Sequence, residues 1–409
     1  MPSSRNPQPN LLLIVTDQQR ADALSCHGGF VRTPNLDRLA SSCVDLRDHF
    51  AQSPVCVPSR CTIFTGRYPQ AHRCRENNTR LSAHEAHVFK ILKHAGYHLG
   101  YFGKNHLLPE EQMAPNFDLY APCDATDATP AQRAYIEFDQ AALERLGTHG
   151  VHGSALFHDF KDEDTITGRI GSAAVEYLGN APSERPWCAT VCFHDPHVPH
   201  LAPRRFSELY PEDKIQLPEP PLEGLAGRHP RFAIKRRAQG GDRSTDAEKR
   251  HYLACYASQR SFVDEQIGRI LDALEARGAR SNTIVLFASD HGDFGWHYGM
   301  GKKDLILCDE LLRVPCIVSW PGRLAPRTVA GTFTEHADLL PTLLDLAGVP
   351  SPARGPKVHP SRRCSAGPPP RTRPVPSRRS AIRTSSTLTQ VTRLSLPTGS
   401  ATTTNPVIC

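Results

Sequence analysis

Short apolar runs that each stop at a polar residue, with amphipathic stretches between them, constrain this chain's fold more than any other feature. Leu11 to Thr16 reads as a buried strand and closes on Asp17. His98 to Phe102 reads as a second, closing on Gly103-Lys104, and Cys188 to Phe193 as a third, closing on His194-Asp195-Pro196-His197. Thr283 to Ala288 is the clearest late strand, ahead of Asp290-His291, and Cys316 to Ser319 follows it. Thr33-Pro34-Asn35 opens a helix to about Cys43, with the proline suited to a first turn. Leu253, Tyr256, Val263, Ile267, Ile270, Leu271 and Leu274 recur at helical spacing between Asp246 and Ala276, and a last helix is expected from about His336 to Ala347. This alternation predicts an α/β fold, a largely parallel sheet covered by helices. Ligands bind such sheets at the carboxyl ends of their strands. Asp17, Lys104, His197 and Asp290 are therefore expected to converge on one edge.

The remaining composition mostly excludes. A chain of 409 residues can bury one large α/β domain or two smaller ones. Its net charge is +6, but much of the surplus falls after residue 350, so the body carries no nucleic-acid footprint. The run Leu11 to Val15 is too short for an export signal and no stretch reaches membrane-spanning length, so the cytoplasm is the expected compartment. Thirteen cysteines lack paired metal-finger spacing and read as small core residues of a reducing compartment, with Cys188 and Cys192 on one face of a strand. Gln216 to Arg243, rich in Pro, Gly and Arg, reads as a surface excursion near the ligand edge. The expected plan is a lead over 1–9, a catalytic domain over 10–349 and a tail over 350–409. Pro, Arg, Ser and Thr dominate the tail, which cannot bury a core and is expected to be disordered or frameshifted, a basic nucleic-acid-binding tail being the weaker reading.

Cys56 is the exceptional cysteine. It opens Cys56-Val57-Pro58-Ser59-Arg60, and Thr65-Gly66-Arg67 follows one turn on. Alone, it would pass for a buried cysteine at a helix start. With Pro, Ser, Arg and the T-G-R in register, the run resembles the sulfatase signature, at which the cysteine is oxidised to formylglycine. The resemblance, to the sulfatase branch of the alkaline-phosphatase-like superfamily, covers about residues 10 to 349, with several motifs in family order. It implies an alkaline-phosphatase-like sheet whose usual C-terminal subdomain is missing here. Asp17-Gln18 resembles the family's first metal pair and Asp290-His291-Gly292 the second, with Cys56 pointing at the same ion. Carboxylate and amide oxygens suit hard divalent cations. Ca²⁺ is expected first as the usual sulfatase ion, and the imidazole of His291 leaves Mn²⁺ or Mg²⁺ open.

The same resemblance assigns the other groups. Lys104 and His106 sit in G-K-N-H, where the family usually has tryptophan at Asn105. Lys104 would neutralise an ester oxygen and His106 would take the proton of a formylglycine hydroxyl. His197 would face the leaving-group oxygen and protonate it, with His194 and His200 at the rim. Prolines between these three histidines exclude a regular helix that would align them on zinc. Counting back from Arg313-Val314-Pro315 makes Lys303 the second ester-binding lysine, with Lys302 as fallback. Arg60 would anchor the oxidised side chain and balance the metal-site carboxylates, and Asn77 matches a substrate-contacting asparagine of phosphonate monoester hydrolases. No P-loop and no G-x-S-x-G elbow is present.

These assignments imply hydrolysis of a small-molecule sulfate ester after maturation by a formylglycine-generating enzyme. Three readings compete: phosphonate monoester or phosphodiester hydrolysis at the same site, an inactive truncated product, and a non-catalytic anion-binding module. Specificity is expected from loops at Cys123 to Asp164 and Gln216 to Arg243, which carry no readable substrate code; oligomeric state is equally unreadable.

Overall fold

Leu11 to Val15 are all at most 2% exposed, and the strand they form, β1 (Asn10–Thr16), lies inside an eight-stranded sheet. The computed structural model describes residues 8–123, 128–219 and 224–351. The other sheet strands are β2 (Val44–Leu46), β3 (His98–Gly103), β4 (Leu119–Ala121), β5 (Trp187–Cys192), β6 (Thr283–Ser289), β7 (Cys316–Ser319) and β8 (Arg327–Val329), in the spatial order β8-β2-β7-β6-β1-β5-β3-β4. The centre is parallel: Ile14 pairs with Val191 of β5 on one side and Phe287 of β6 on the other. β7 runs antiparallel to both β6 and β2, so the sheet is mixed, though mostly parallel.

Side chains of β1 alternate between two cores. Leu11, Leu13 and Val15 join one hydrophobic cluster, Leu12 and Ile14 the other. Cys188 and Cys192 fall in the first cluster, on one face as the sequence predicts. Helices α2 (Cys56–Thr65), α3 (Val88–His94) and α7 (His336–Leu346) cover the first face. Helices α1 (Pro34–Ser41), α5 (Ile166–Asn180) and the long α6 (Asp246–Ala276) cover the second. A strand buried on both faces must read as a continuous apolar run, which is what made these central strands visible in the sequence.

Two expectations need correction. Cys123 to Asp164 is not a loop: it contains α4 (Pro130–His149), opened by a reciprocal Thr129–Gln132 capping box, and a short strand at Ala155–His158. Gln216 to Arg243 likewise contains a helix at Arg231–Ala238. The tail expected over 350–409, and the expected lack of a C-terminal subdomain, concern residues that, from 352 on, lie outside the described ones.

Candidate active site

Helix α2 starts on Cys56, with extended Val55 as its uncapped N-cap, so the first-turn N–H groups need outside acceptors. Asn77 Oδ1 accepts the Val57 N–H at 3.1 Å. Cys56 is 1% exposed, and its Sγ lies 3.0 Å from Lys303 Nζ, 3.4 Å from His291 Nε2, 3.6 Å from Asp17 Oδ1 and 4.0 Å from Lys104 Nζ. Burial and Asp17 oppose its ionisation, but Lys104, Lys303 and His291 outweigh them and bring the thiol well below its usual range. An anion at this position is therefore stabilised from several sides, the helix N-terminus included.

The convergence expected at the strand ends is realised. Asp17 follows β1, Lys104 follows β3, His197 lies five residues past β5 and Asp290 follows β6. Gly103 makes the Lys104 turn possible: its φ is +94°, and a Cβ there would stand 2.2 Å from the Cys192 carbonyl oxygen. Lys104 Nζ pairs with Asp17 Oδ2 at 2.8 Å. Arg60, fully buried, donates from Nε to Asp290 Oδ2 at 2.9 Å, from one terminal nitrogen to Asp17 Oδ2 at 3.2 Å, and from the other to the Lys104 carbonyl at 3.2 Å. Its hydrogen bonds go to the carboxylates rather than to Cys56, so the balancing half of its expected role has a geometric basis. Burial opposes ionisation of Asp17, yet Lys104, Lys303, His197 and Arg60 together hold it well below the carboxylate range. Burial and the charge of Asp17 instead push Asp290 up to about 6, against the pull of His291 and Arg60.

Ligand atoms of Asp17, Cys56, Asp290 and His291 all lie within 4.8 Å of one another, and all four residues are buried. The donor chemistry fits a divalent cation. His291 Nδ1 lies 2.9 Å from the Gly292 carbonyl, so Nδ1 carries the proton and the Nε2 lone pair faces the carboxylates, as a metal-binding imidazole requires. Gln18 adopts φ +67°; its Nε2 donates to Asp293 Oδ2 at 2.6 Å, which turns Oε1 toward Lys303 Nζ at 3.2 Å. Lys303, not Lys302, reaches this centre. The backbone N–H of Lys302 bonds Tyr252 Oη at 2.9 Å, and its ammonium is felt by Lys303, Asp304 and Lys235 rather than by Cys56.

The histidines divide. His106 and His197 both reach the Cys56 side chain. Burial, then Lys303 and Lys104, push His197 down to about 4, so it is a neutral imidazole here rather than the imidazolium expected of an acid; its Nδ1–H donates to the Val198 carbonyl. His194 is half-buried and lies tilted against His197, with ring centroids 5.2 Å apart. His200 is no rim residue. It is fully buried, with Nδ1 3.0 Å from Gln259 Oε1 and its ring against Tyr252 and Tyr256. His194 and His197 thus lie side by side while His200 turns to Gln259. Asn105 is 7% exposed and ties its own loop, accepting from the N–H groups of Leu107 and Leu108 and donating to the Leu108 carbonyl.

Several supporting residues escape sequence reasoning. Asp293, buried and pushed up to about 6 by that burial, holds the Gln18 amide and accepts from Tyr252. Ser59 and His336 both donate to the Asp290 carbonyl, and His336 Nδ1 lies 2.9 Å from His49 Nε2. Gln259 and Thr167 hold the two oxygens of Asp195, two residues before His197. Ser59 lies inside the Cys56–Arg60 run and the D-H-G-D spacing could have flagged Asp293; Tyr252, His336, Gln259 and Thr167 come from helices with no local signal.

A mostly parallel sheet with acids, a histidine and cations meeting at its strand ends is the alkaline-phosphatase-like α/β architecture. The model of the sulfatase family matches residues 9–349, and the chain belongs to that family of hydrolases, within the alkaline phosphatase superfamily. It is similar to the choline-sulfatase of Rhizobium meliloti, 29% identical over 84% of this chain and 68% of that protein. The arylsulfatase of Clostridium perfringens is 28% identical over 84% of this chain and 76% of the relative. Among solved structures, the phosphonate monoester hydrolase of Agrobacterium radiobacter superposes with a TM-score of 0.68 at 25% identity, covering 84% of this chain and 74% of that one. The family implies a formylglycine and a divalent metal. Among the described residues, no helix is long and apolar enough to cross a membrane.

Proposed function

We propose that the protein hydrolyses sulfate esters, with residue 56 as nucleophile once oxidised to formylglycine. One observation carries this reading: the Cys56 Sγ, marking where an oxygen of the oxidised side chain would sit, is surrounded by Lys303, His291, Asp17 and Lys104 within 4.0 Å. Asp17, Gln18, Asp290 and His291 would hold the divalent cation, which would lower the pKa of a hydroxyl on residue 56. Ca²⁺ is the proposed ion, with Mn²⁺ favoured next by the imidazole donor.

The chain's own groups supply the rest. Lys104 and Lys303 Nζ lie 4.0 and 3.0 Å from the Cys56 Sγ and would neutralise charge on the non-bridging ester oxygens. Arg60 keeps Asp17 and Asp290 compatible at short range. His197 would give its proton to the departing oxygen. Burial and the two lysines lower its pKa, and the ester's negative charge would favour its protonated form. His106, whose Nδ1 has no partner among the described residues, would accept the proton of the second hydroxyl. Asn77, exposed beside the first turn of α2, has its Nδ2 group available to the substrate.

A second reading, phosphonate monoester or phosphodiester hydrolysis, is favoured by the Gln18 and His291 donors and by the likeness to the Agrobacterium enzyme. Rates on matched aryl sulfate and aryl phosphonate esters, measured on protein with verified residue 56 conversion, decide between them. A kcat/KM higher for the sulfate supports the proposal; a preference for the phosphonate by tenfold or more, as an order of magnitude, replaces it.

A further inference from the structure

We propose that Cys61 and Cys74 form a reversible disulfide, a second cysteine-modification site that staples the helix carrying Cys56 to the 73–79 strap. Cys61 is 0% and Cys74 1% exposed. Their sulfurs and a ring nitrogen of His72 lie within 4.8 Å of one another.

Such a trio suggests a metal, but His72 is already committed. The Cys74 backbone N–H donates to its Nδ1 at 3.2 Å. Thr62 Oγ1 gives its own proton to the Pro58 carbonyl at 3.0 Å, so its 3.1 Å contact with His72 Nε2 must be filled by an Nε2–H. Neither nitrogen has a lone pair left for an ion. What remains is two sulfurs, half the ligands a closed zinc site takes.

The pair is chemically asymmetric in the way exchange requires. Hydrogen bonding from Cys61, with help from Thr79 and against the opposing effect of burial, brings Cys74 below the usual thiol range. Cys61, which supplies that hydrogen bond and is buried, is pushed up. Cys74 is therefore the more readily ionised of the two. With oxidised glutathione as oxidant, the Cys74 thiolate attacks one sulfur and expels one glutathione thiolate. Cys61, losing its proton, then attacks Cys74 and expels the second. The chain's two thiols give up two electrons and two protons, and one external disulfide becomes two thiols. Access is by opening of the strap, whose neighbouring residues Arg73, Arg75, Glu76, Asn77 and Asn78 are exposed.

The position gives the link a consequence. Cys61 follows Arg60 on α2, and Cys74 lies three residues before Asn77, which accepts the Val57 N–H. Oxidation would keep Asn77 seated over the first turn of the catalytic helix.

The test is non-reducing peptide mapping of the full chain after incubation with oxidised glutathione, run in parallel on Cys56→Ala so that the Cys56 thiol cannot enter. The expected result is one linked peptide pair holding residues 61 and 74, lighter than the reduced pair by about 2 Da for the hydrogens lost. The apparent Tm should rise by about 2–5 °C, reverse with dithiothreitol, and not rise in Cys74→Ser. Two free thiols after oxidation, a persistent glutathione adduct on either residue, or stoichiometric zinc released when the pair is alkylated would each overturn the proposal. The mapping needs no variant at 61 or 74, so a folding defect in Cys74→Ser leaves it decisive.

Discussion

Arg60 is the group on which the buried charges depend, and Arg60→Met measures that dependence. The guanidinium is wholly buried between Asp17 and Asp290, at 3.2 and 2.9 Å. Methionine preserves much of its volume but leaves two buried carboxylates without their shared partner. Removing one member of a buried ion pair costs about 3–5 kcal/mol. For a matched domain spanning residues 9–349, an unfolding entropy of about 2.1 cal/mol/K per residue gives roughly 0.7 kcal/mol/K. The metal-free variant should therefore melt about 4–7 °C below wild type. A divalent cation supplies compensating charge between the same carboxylates, so adding it should narrow the gap. Neutralising Asp17 in the same background, as Arg60→Met with Asp17→Asn, should recover part of the loss, since the two sites are directly coupled. The assay is circular-dichroism melting of chelated and metal-loaded protein. Metal-free R60M melting within about 1 °C of wild type would refute the view that Arg60 offsets the buried carboxylates.

Three further outcomes are expected. Lys303→Ala should lower kcat/KM by about 10²–10³-fold because Lys303 Nζ sits 3.0 Å from Cys56 Sγ, whereas Lys302→Ala should change it by less than about threefold; equal losses would disprove the assignment of Lys303. Asp293→Ala removes the acceptor of the Gln18 amide and should weaken metal binding by about 10–100-fold, read by calorimetric titration; unchanged affinity would remove Gln18 from the ligand set. His87 is fully buried with both ring nitrogens unpartnered among the described residues, and burial, then Lys90, bring it down to about 4. Its unfolded value is near 6.5, so the unfolded chain binds more protons in between: the stability is fully present above about pH 6.5 and lost as pH falls toward 4, up to about 3 kcal/mol. His87→Phe should therefore lose less Tm than wild type between about pH 7 and 4.5, and an identical acid profile would contradict this.

The parts of the fold that were legible in the sequence are those that face no water. β1, β5 and β6 pack on both faces, so each reads as an apolar run that stops shortly before a candidate site residue. α6 was equally plain because its apolar residues recur at helical spacing, although Tyr252 to Asp264 are buried without a break. The three-residue strands β2, β4 and β8 are too short for any period to register. The direction of β7 was unreadable, since orientation depends on where the connection returns the chain rather than on the strand's residues. α4 was missed inside a presumed loop because much of its surface is exposed and its apolar face is weak.

The site divides along the same line. Asp17, Cys56, Lys104, Asp290 and Lys303 sit at strand ends, a helix start or beside a fixed motif, so position in sequence determined position in space. His200 was misplaced because two residues either way from a turn decide whether a side chain faces the cleft or the core. Here it turns inward to Gln259. Tyr252 and His336 act through hydrogen bonds between elements far apart in the chain, which no local pattern records.

The most direct test of the account is the mass of the peptide carrying residue 56, taken from the same preparation whose ester hydrolysis is being measured. Conversion of Cys56 should leave that peptide about 18 Da lighter than the thiol form, with turnover rising in proportion to the converted fraction. A preparation that hydrolyses esters at full rate with residue 56 still an intact thiol would contradict it.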